Sequence, residues 1–143
     1  MFSKVTVIID LFLSAARGLF GIIGLASIFA YPEVLDQFGP VLAYGEVSSA
    51  LLVGIFGILA GVFLLLKKRA GLVLGSITVI LTLVHLVVSA LEIPSMAPAG
   101  VEGYETISYI AGAGFVLVIR VALLILYLIA LRKAANWFSN QAA

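Results

Sequence analysis

The chain has 143 residues, 64% of them hydrophobic and 10% charged, with a net charge of +1. A soluble domain normally carries about 25% charged residues, so too little polar sequence is left here to cover a globule, and lipid is read as the solvent. The small net charge offers no basic field for nucleic acid, and the absence of cysteine removes disulfides, thiolate metal sites and thiol chemistry together.

The first apolar segment, 5–30, opens like a signal peptide. Lys4 precedes an apolar run, and Ser14-Ala15-Ala16 is small. Asp10 interrupts that run, however, and the hydrophobic sequence continues to Ala30. The segment is therefore expected to be a retained first span. Asp10 and Arg17 stand seven residues apart, close to one helical face, with Ser14 between them and Gly18, Gly21 and Gly24 beyond. An outer loop, 31–46, follows. In it Tyr31-Pro32-Glu33 suits a helix start, and Val34, Leu35 and Phe38 recur as one face of a short interfacial helix.

The second span is expected at 47–66, with Glu46 at its head, three residues before Ser49. A turn at 67–69 leads into the third span, 70–91. There Thr78, Thr82, His85, Ser89 and Glu92 recur at spacings of 4, 3, 4 and 3, which places them on one helical face. Gly71 and Gly75 extend that face. Lipid would not tolerate it, so it should point into the bundle. The outer loop 92–105, with Pro94, Pro98, Gly100 and Gly103, should be irregular. The fourth span, 106–131, places Arg120 on a face shared with Tyr109 and Tyr127, and Trp137 and Phe138 beyond it suit an interfacial anchor. Gly57, Gly61, Gly71, Gly75 and the run Ala111–Gly114 are the small residues that let membrane helices approach.

Each span has about 20 or more residues, enough for a hydrocarbon core of about 30 Å. Lys4, Lys67-Lys68-Arg69 and Arg132-Lys133 flank alternate connections. Glu33, Asp36, Glu46, Glu92, Glu102 and Glu105 occupy the others. The positive-inside rule then puts both termini in the cytoplasm. The expected fold is an all-α, antiparallel four-helix transmembrane bundle in a single domain, in the plasma (inner) membrane.

Depth makes two residues costly. Arg17 and Arg120 each lie about 18 Å from the nearest basic flank, near mid-bilayer, and each costs about 2.5–3.5 kcal/mol to insert. Asp10 is the one carboxylate well inside a span, and one acid cannot neutralise two arginines. Either an outer glutamate reaches inward, or water enters, or a bound anion or a partner subunit supplies charge. Asp10–Arg17 and Glu46–Arg120 can also be structural ion pairs that set helix register. His85 stands alone, so bis-histidine ligation has no second residue, and a lone histidine is more often a packed core residue than a ligand. No phosphate loop, catalytic triad or zinc-protease motif is present.

At Arg17-x3-Gly21-x2-Gly24, Tyr31-Pro32, Glu46 and His85-Leu86 the chain resembles the DoxX-like small four-helix membrane proteins, over roughly its first 90 residues. The lysine that many members carry at the end of helix 1 is missing, and Ser27 is nearest. The resemblance implies the same bundle and a link to quinone-connected redox systems, by analogy of fold.

The leading expectation is an accessory subunit of a larger membrane complex, with other membrane subunits or further copies of itself as partners. The alternative is a binding protein for a quinone, lipid or anion, with Arg17, Arg120, His85, Glu46, Asp10, Tyr109 and Tyr127 as candidate ligand-binding residues. A small transporter or channel is the third reading. No catalytic residue and no metal site are assigned, and no cofactor beyond a quinone or lipid.

Overall fold

The computed structural model describes residues 4–95 and 103–142, all of them helix or short connection. The elements are α1 (Lys4–Ala30), α2 (Glu33–Phe38), α3 (Pro40–Leu65), α4 (Ala70–Glu92) and α5 (Tyr104–Ala142), with a single 3-10 turn at Ile93–Ser95. α1, α3, α4 and α5 are each long and apolar enough to cross a membrane. Pro98, Gly100 and Glu102 lie outside the described residues, as do the side chains of Val34, Phe38 and Glu105.

Two boundaries differ from expectation. α3 starts at Pro40 rather than near residue 47. Gly39, at φ 77° and ψ 150°, closes α2 and turns the chain directly into Pro40. Only glycine occupies that backbone region freely, and proline suits the first helical position because its missing N–H would have no partner there. Glu46 thus lies nearly two turns inside α3 instead of at its head. α5 runs 39 residues to Ala142 rather than stopping near Leu131. The helix passes straight through Arg132 and Lys133 because Ala134 and Phe138 are buried in an apolar cluster with Val7, Leu64, Tyr127 and Leu131. Phe138, expected as an interfacial anchor, is packed inward.

The α3–α4 turn is tight. The Lys68 N–H donates to the Phe63 carbonyl at 2.8 Å and the Lys67 N–H to the Leu64 carbonyl at 3.0 Å, the paired bonds that close a helix C-terminus around one left-handed residue. That residue is Lys67, at φ 55°. The Lys67 ammonium sits 5.7 Å from the centroid of the Trp137 ring, and Arg69 donates to the Phe138 carbonyl at 3.3 Å. The end of α5 is therefore held beside the turn, at what can be called the basic end of the molecule.

α1 and α3 meet backbone to backbone. A Cβ on Gly54 would strike the Gly18 backbone, and one on Gly21 would come within 2.8 Å of the Leu51 nitrogen. A Cβ on Gly57 would strike the Ser14 hydroxyl. Gly71 packs equally close to Leu64, which joins α4 to α3. The outer surface is apolar, with Phe12, Phe20, Phe29, Val73, Ile80, Phe115 and Val118 all exposed.

Candidate functional site

The stripe on α4 is buried as its spacing implies: Thr78, Thr82, His85, Ser89 and Glu92 all face inward, with Gly71 and Gly75 on the same side. It meets polar side chains of the other helices in two clusters.

The first joins α3, α4 and α5. Ser49 Oγ donates to the Glu46 carbonyl at 3.0 Å and lies 2.8 Å from His85 Nδ1. A hydroxyl has one proton. With it spent on the carbonyl, Nδ1 carries a proton and donates to Ser49, an assignment that follows from the network. Nδ1 is also 3.5 Å from Glu46 Oε2. The Ser89 hydroxyl faces both Glu46 carboxylate oxygens, at 3.1 and 2.9 Å. It accepts in turn from Arg120 Nη1 at 3.1 Å. Ser89 thus stands between the guanidinium and the carboxylate. The expected Glu46–Arg120 pair takes this form, bridged by a hydroxyl. Glu46 is an outer glutamate that reaches inward toward this guanidinium.

Two cavities flank this network. One, of about 210 Å³, is lined by Ser89, Ile93, Ala113, Val116, Leu117 and Arg120. The other, of about 170 Å³, lies between α1, α3 and α4, with Glu46 and Glu92 on its wall beside Gly24 and Ser27.

The second cluster lies toward the basic end. Asp10, Arg17, Thr82 and Tyr127 surround a small void. Asp10 and Tyr127 are both buried. Asp10 Oδ2 has no hydrogen-bond partner among the described residues, and the expected Asp10–Arg17 ion pair is not a direct contact: the two residues face each other across the void.

Six of the seven candidate residues fall in these clusters: Glu46, His85 and Arg120 in the first, Asp10, Arg17 and Tyr127 in the second. Tyr109 does not. It is 50% exposed, three turns from Arg120 on a stretch of α5 where a Cβ at Gly112 or Gly114 would meet nothing within 4 Å. Ser89, Ser49 and Glu92 join the candidate residues here, Ser89 and Ser49 by hydrogen bonds and Glu92 on the cavity wall beside Glu46. The signal for Ser89 was present, four residues after His85 on the same stripe. Among the described residues, no group of three or more His, Cys, Asp or Glu side chains could hold a metal ion.

The class defined by this fold and site is an all-helical protein with four apolar helices of spanning length around a buried polar seam. No family model, no curated protein and no solved structure matches the chain.

Proposed function

We propose that this chain is an integral protein of the plasma (inner) membrane that binds a lipophilic molecule through an oxygen-bearing head group, such as a quinone or lipid, between α4 and α5. The observation that carries this reading is the cavity of about 210 Å³ whose polar walls, among the described residues, are Ser89 and Arg120. Ligand pockets for whole drug-sized molecules run to about 300–1,000 Å³, so this one suits a ring or head group whose tail leaves between the helices into lipid. Arg120 carries five N–H donors in a rigid fork, and Ser89 engages one terminal nitrogen. A carbonyl or acidic oxygen in the cavity would meet the rest, in surroundings dry enough to make the bond strong.

The orientation with both termini cytoplasmic draws support from the basic end, where Lys67, Arg69 and the end of α5 come together. An antiparallel arrangement draws support from the order of contacts between α1 and α3, which pairs Leu11 with Gly61, Gly18 with Gly54 and Gly24 with Val47. The DoxX-like resemblance fits the placement of Arg17, Glu46 and His85 on the inner seam.

The accessory-subunit reading has its own observation. A Cβ added to Gly112 or to Gly114 of α5 would meet nothing within 4 Å, so this stretch of α5 is open to a partner on more than one side. A transporter gains no such support, since the spans run unbroken among the described residues.

Native mass spectrometry of the chain released from nanodiscs tests both readings. A co-purifying lipophilic molecule of defined mass, reduced at least tenfold in Arg120→Leu, is the expected result. A ligand-free monomer in both proteins would remove the binding reading, and the absence of any heavier assembly would remove the subunit reading.

A further inference from the structure

Two buried side-chain oxygens on facing helices, Asp10 Oδ2 and Tyr127 Oη, have no hydrogen-bond partner among the described residues. Their residues are 9% and 3% exposed. In hydrocarbon surroundings an unpaired buried polar atom is among the least favourable arrangements a fold can hold, so such atoms mark places where something else completes the bonding. Asp10 and Tyr127 share two adjoining cavities. One, of about 90 Å³, is a crevice between α1 and α5 lined by Thr6, Ile9, Leu13, Leu123 and Leu126 as well. The other, of about 10 Å³, lies deeper and adds Arg17 and Thr82 to its wall.

Charge and size select the occupant. Arg17 on the wall opposes a cation, and Asp10 on the wall opposes an anion. An apolar atom would leave both orphaned oxygens unpaired. A species that is neutral, both donor and acceptor, and no larger than one probe sphere satisfies all three conditions. A buried water needs about 10–15 Å³ of such volume and two to four polar partners. We propose that an ordered water molecule occupies the deep cavity, donates to Asp10 Oδ2, exchanges a hydrogen bond with Tyr127 Oη and accepts from Arg17. The α1–α5 crevice gives it a route in. The water joins α1 to α5. This site is separate from the Arg120 cavity and does not depend on what that cavity binds.

The sign of one substitution tests the proposal. Tyr127→Phe removes the hydroxyl and nothing else. If the cavity is dry, the hydroxyl is an unpaired polar group, and deleting it raises the melting temperature of the chain in nanodiscs. If water bridges it, the deletion removes a bond, and the melting temperature falls by about 3 °C. Tyr109→Phe, at an exposed hydroxyl, is the control and should not move it. The companion measurement on the unaltered chain is a water-to-protein cross-relaxation experiment by NMR. The expected result is a long-lived water contact at the Tyr127 ring, lost in Tyr127→Phe. A rise in melting temperature on Tyr127→Phe, or no water contact in the unaltered chain, overturns the proposal. So does stabilisation by sodium over N-methylglucamine at equal ionic strength that Asp10→Asn abolishes, because a cation would then hold the site. Should Tyr127→Phe fail to fold, the cross-relaxation result on the unaltered chain decides alone.

Discussion

Gly21, Gly54 and Gly57 in the α1–α3 contact and Gly112 and Gly114 in α5 are the same residue in equally apolar helices, yet they stand in opposite surroundings. Every glycine of α1, α3 and α4 has a neighbour within 4 Å of the position its Cβ would take, whereas those of α5 have none. The first three helices form a trunk in which backbones touch. α5 is attached to that trunk at separated points: the apolar cluster around Tyr127 and Phe138, the Arg69 bond to the Phe138 carbonyl, and the Arg120–Ser89 bond. Without a hydrophobic force between helices in lipid, close packing and polar bonds must hold them. The trunk relies mainly on the first, α5 more on the second. Cavities open beside α5, although one also lies within the trunk, between α1, α3 and α4.

The strongest challenge to this contrast is to fill one glycine on each side. Gly54→Leu would press against the Gly18 and Ser14 backbone and should cost about 4 kcal/mol or more, to the point of losing the folded chain. Gly112→Leu should change stability by less than about 0.5 kcal/mol. Thermal unfolding in one detergent compares them directly. Equal effects would dissolve the distinction between trunk and α5.

Glu46→Leu should rank next. It leaves Arg120 and His85 without their carboxylate and should destabilise by about 3 kcal/mol, read by the same unfolding assay. A neutral result would mean that the network is solvated and not a bundle-holding element. Ser89→Ala is a smaller change, about 1–2 kcal/mol, but a more local one. It cuts the hydroxyl between Arg120 and Glu46, so hydrogen exchange should rise around residues 113–121 of α5 and stay constant in α1. Uniform exchange across all helices would contradict the separate attachment of α5.

Lys67→Gly should have the smallest effect and the opposite sign. Glycine relieves the left-handed backbone at Lys67, a gain of up to about 1 kcal/mol. The same change removes the ammonium above Trp137, which returns about half of that gain. A melting temperature raised by a degree or two is expected. A fall would show that the Lys67–Trp137 contact outweighs the backbone strain in holding α5 to the turn.

The four long helices and the inward face of α4 were legible in the amino-acid order alone, because both depend on local quantities. Twenty apolar residues have few alternatives to a helix in lipid, and a 4-3-4-3 spacing of Thr78, Thr82, His85, Ser89 and Glu92 has only one face on which to lie. The tertiary structure decided what lies opposite that face. The charge deficit read from Arg17 and Arg120 had several solutions, and the choice of Glu46 depended on α3 beginning at Pro40, which carries the carboxylate inward to Ser89. Tyr109 and Tyr127 looked equivalent on the helical spacing of α5, but Tyr127 is buried and Tyr109 half exposed, because α5 leans on the trunk toward its basic end. Periodicity tells which residues share a side of one helix. Which neighbour that side meets, and at what height, is set by where backbones can approach, and in this protein the glycines of α1, α3 and α4 set those places.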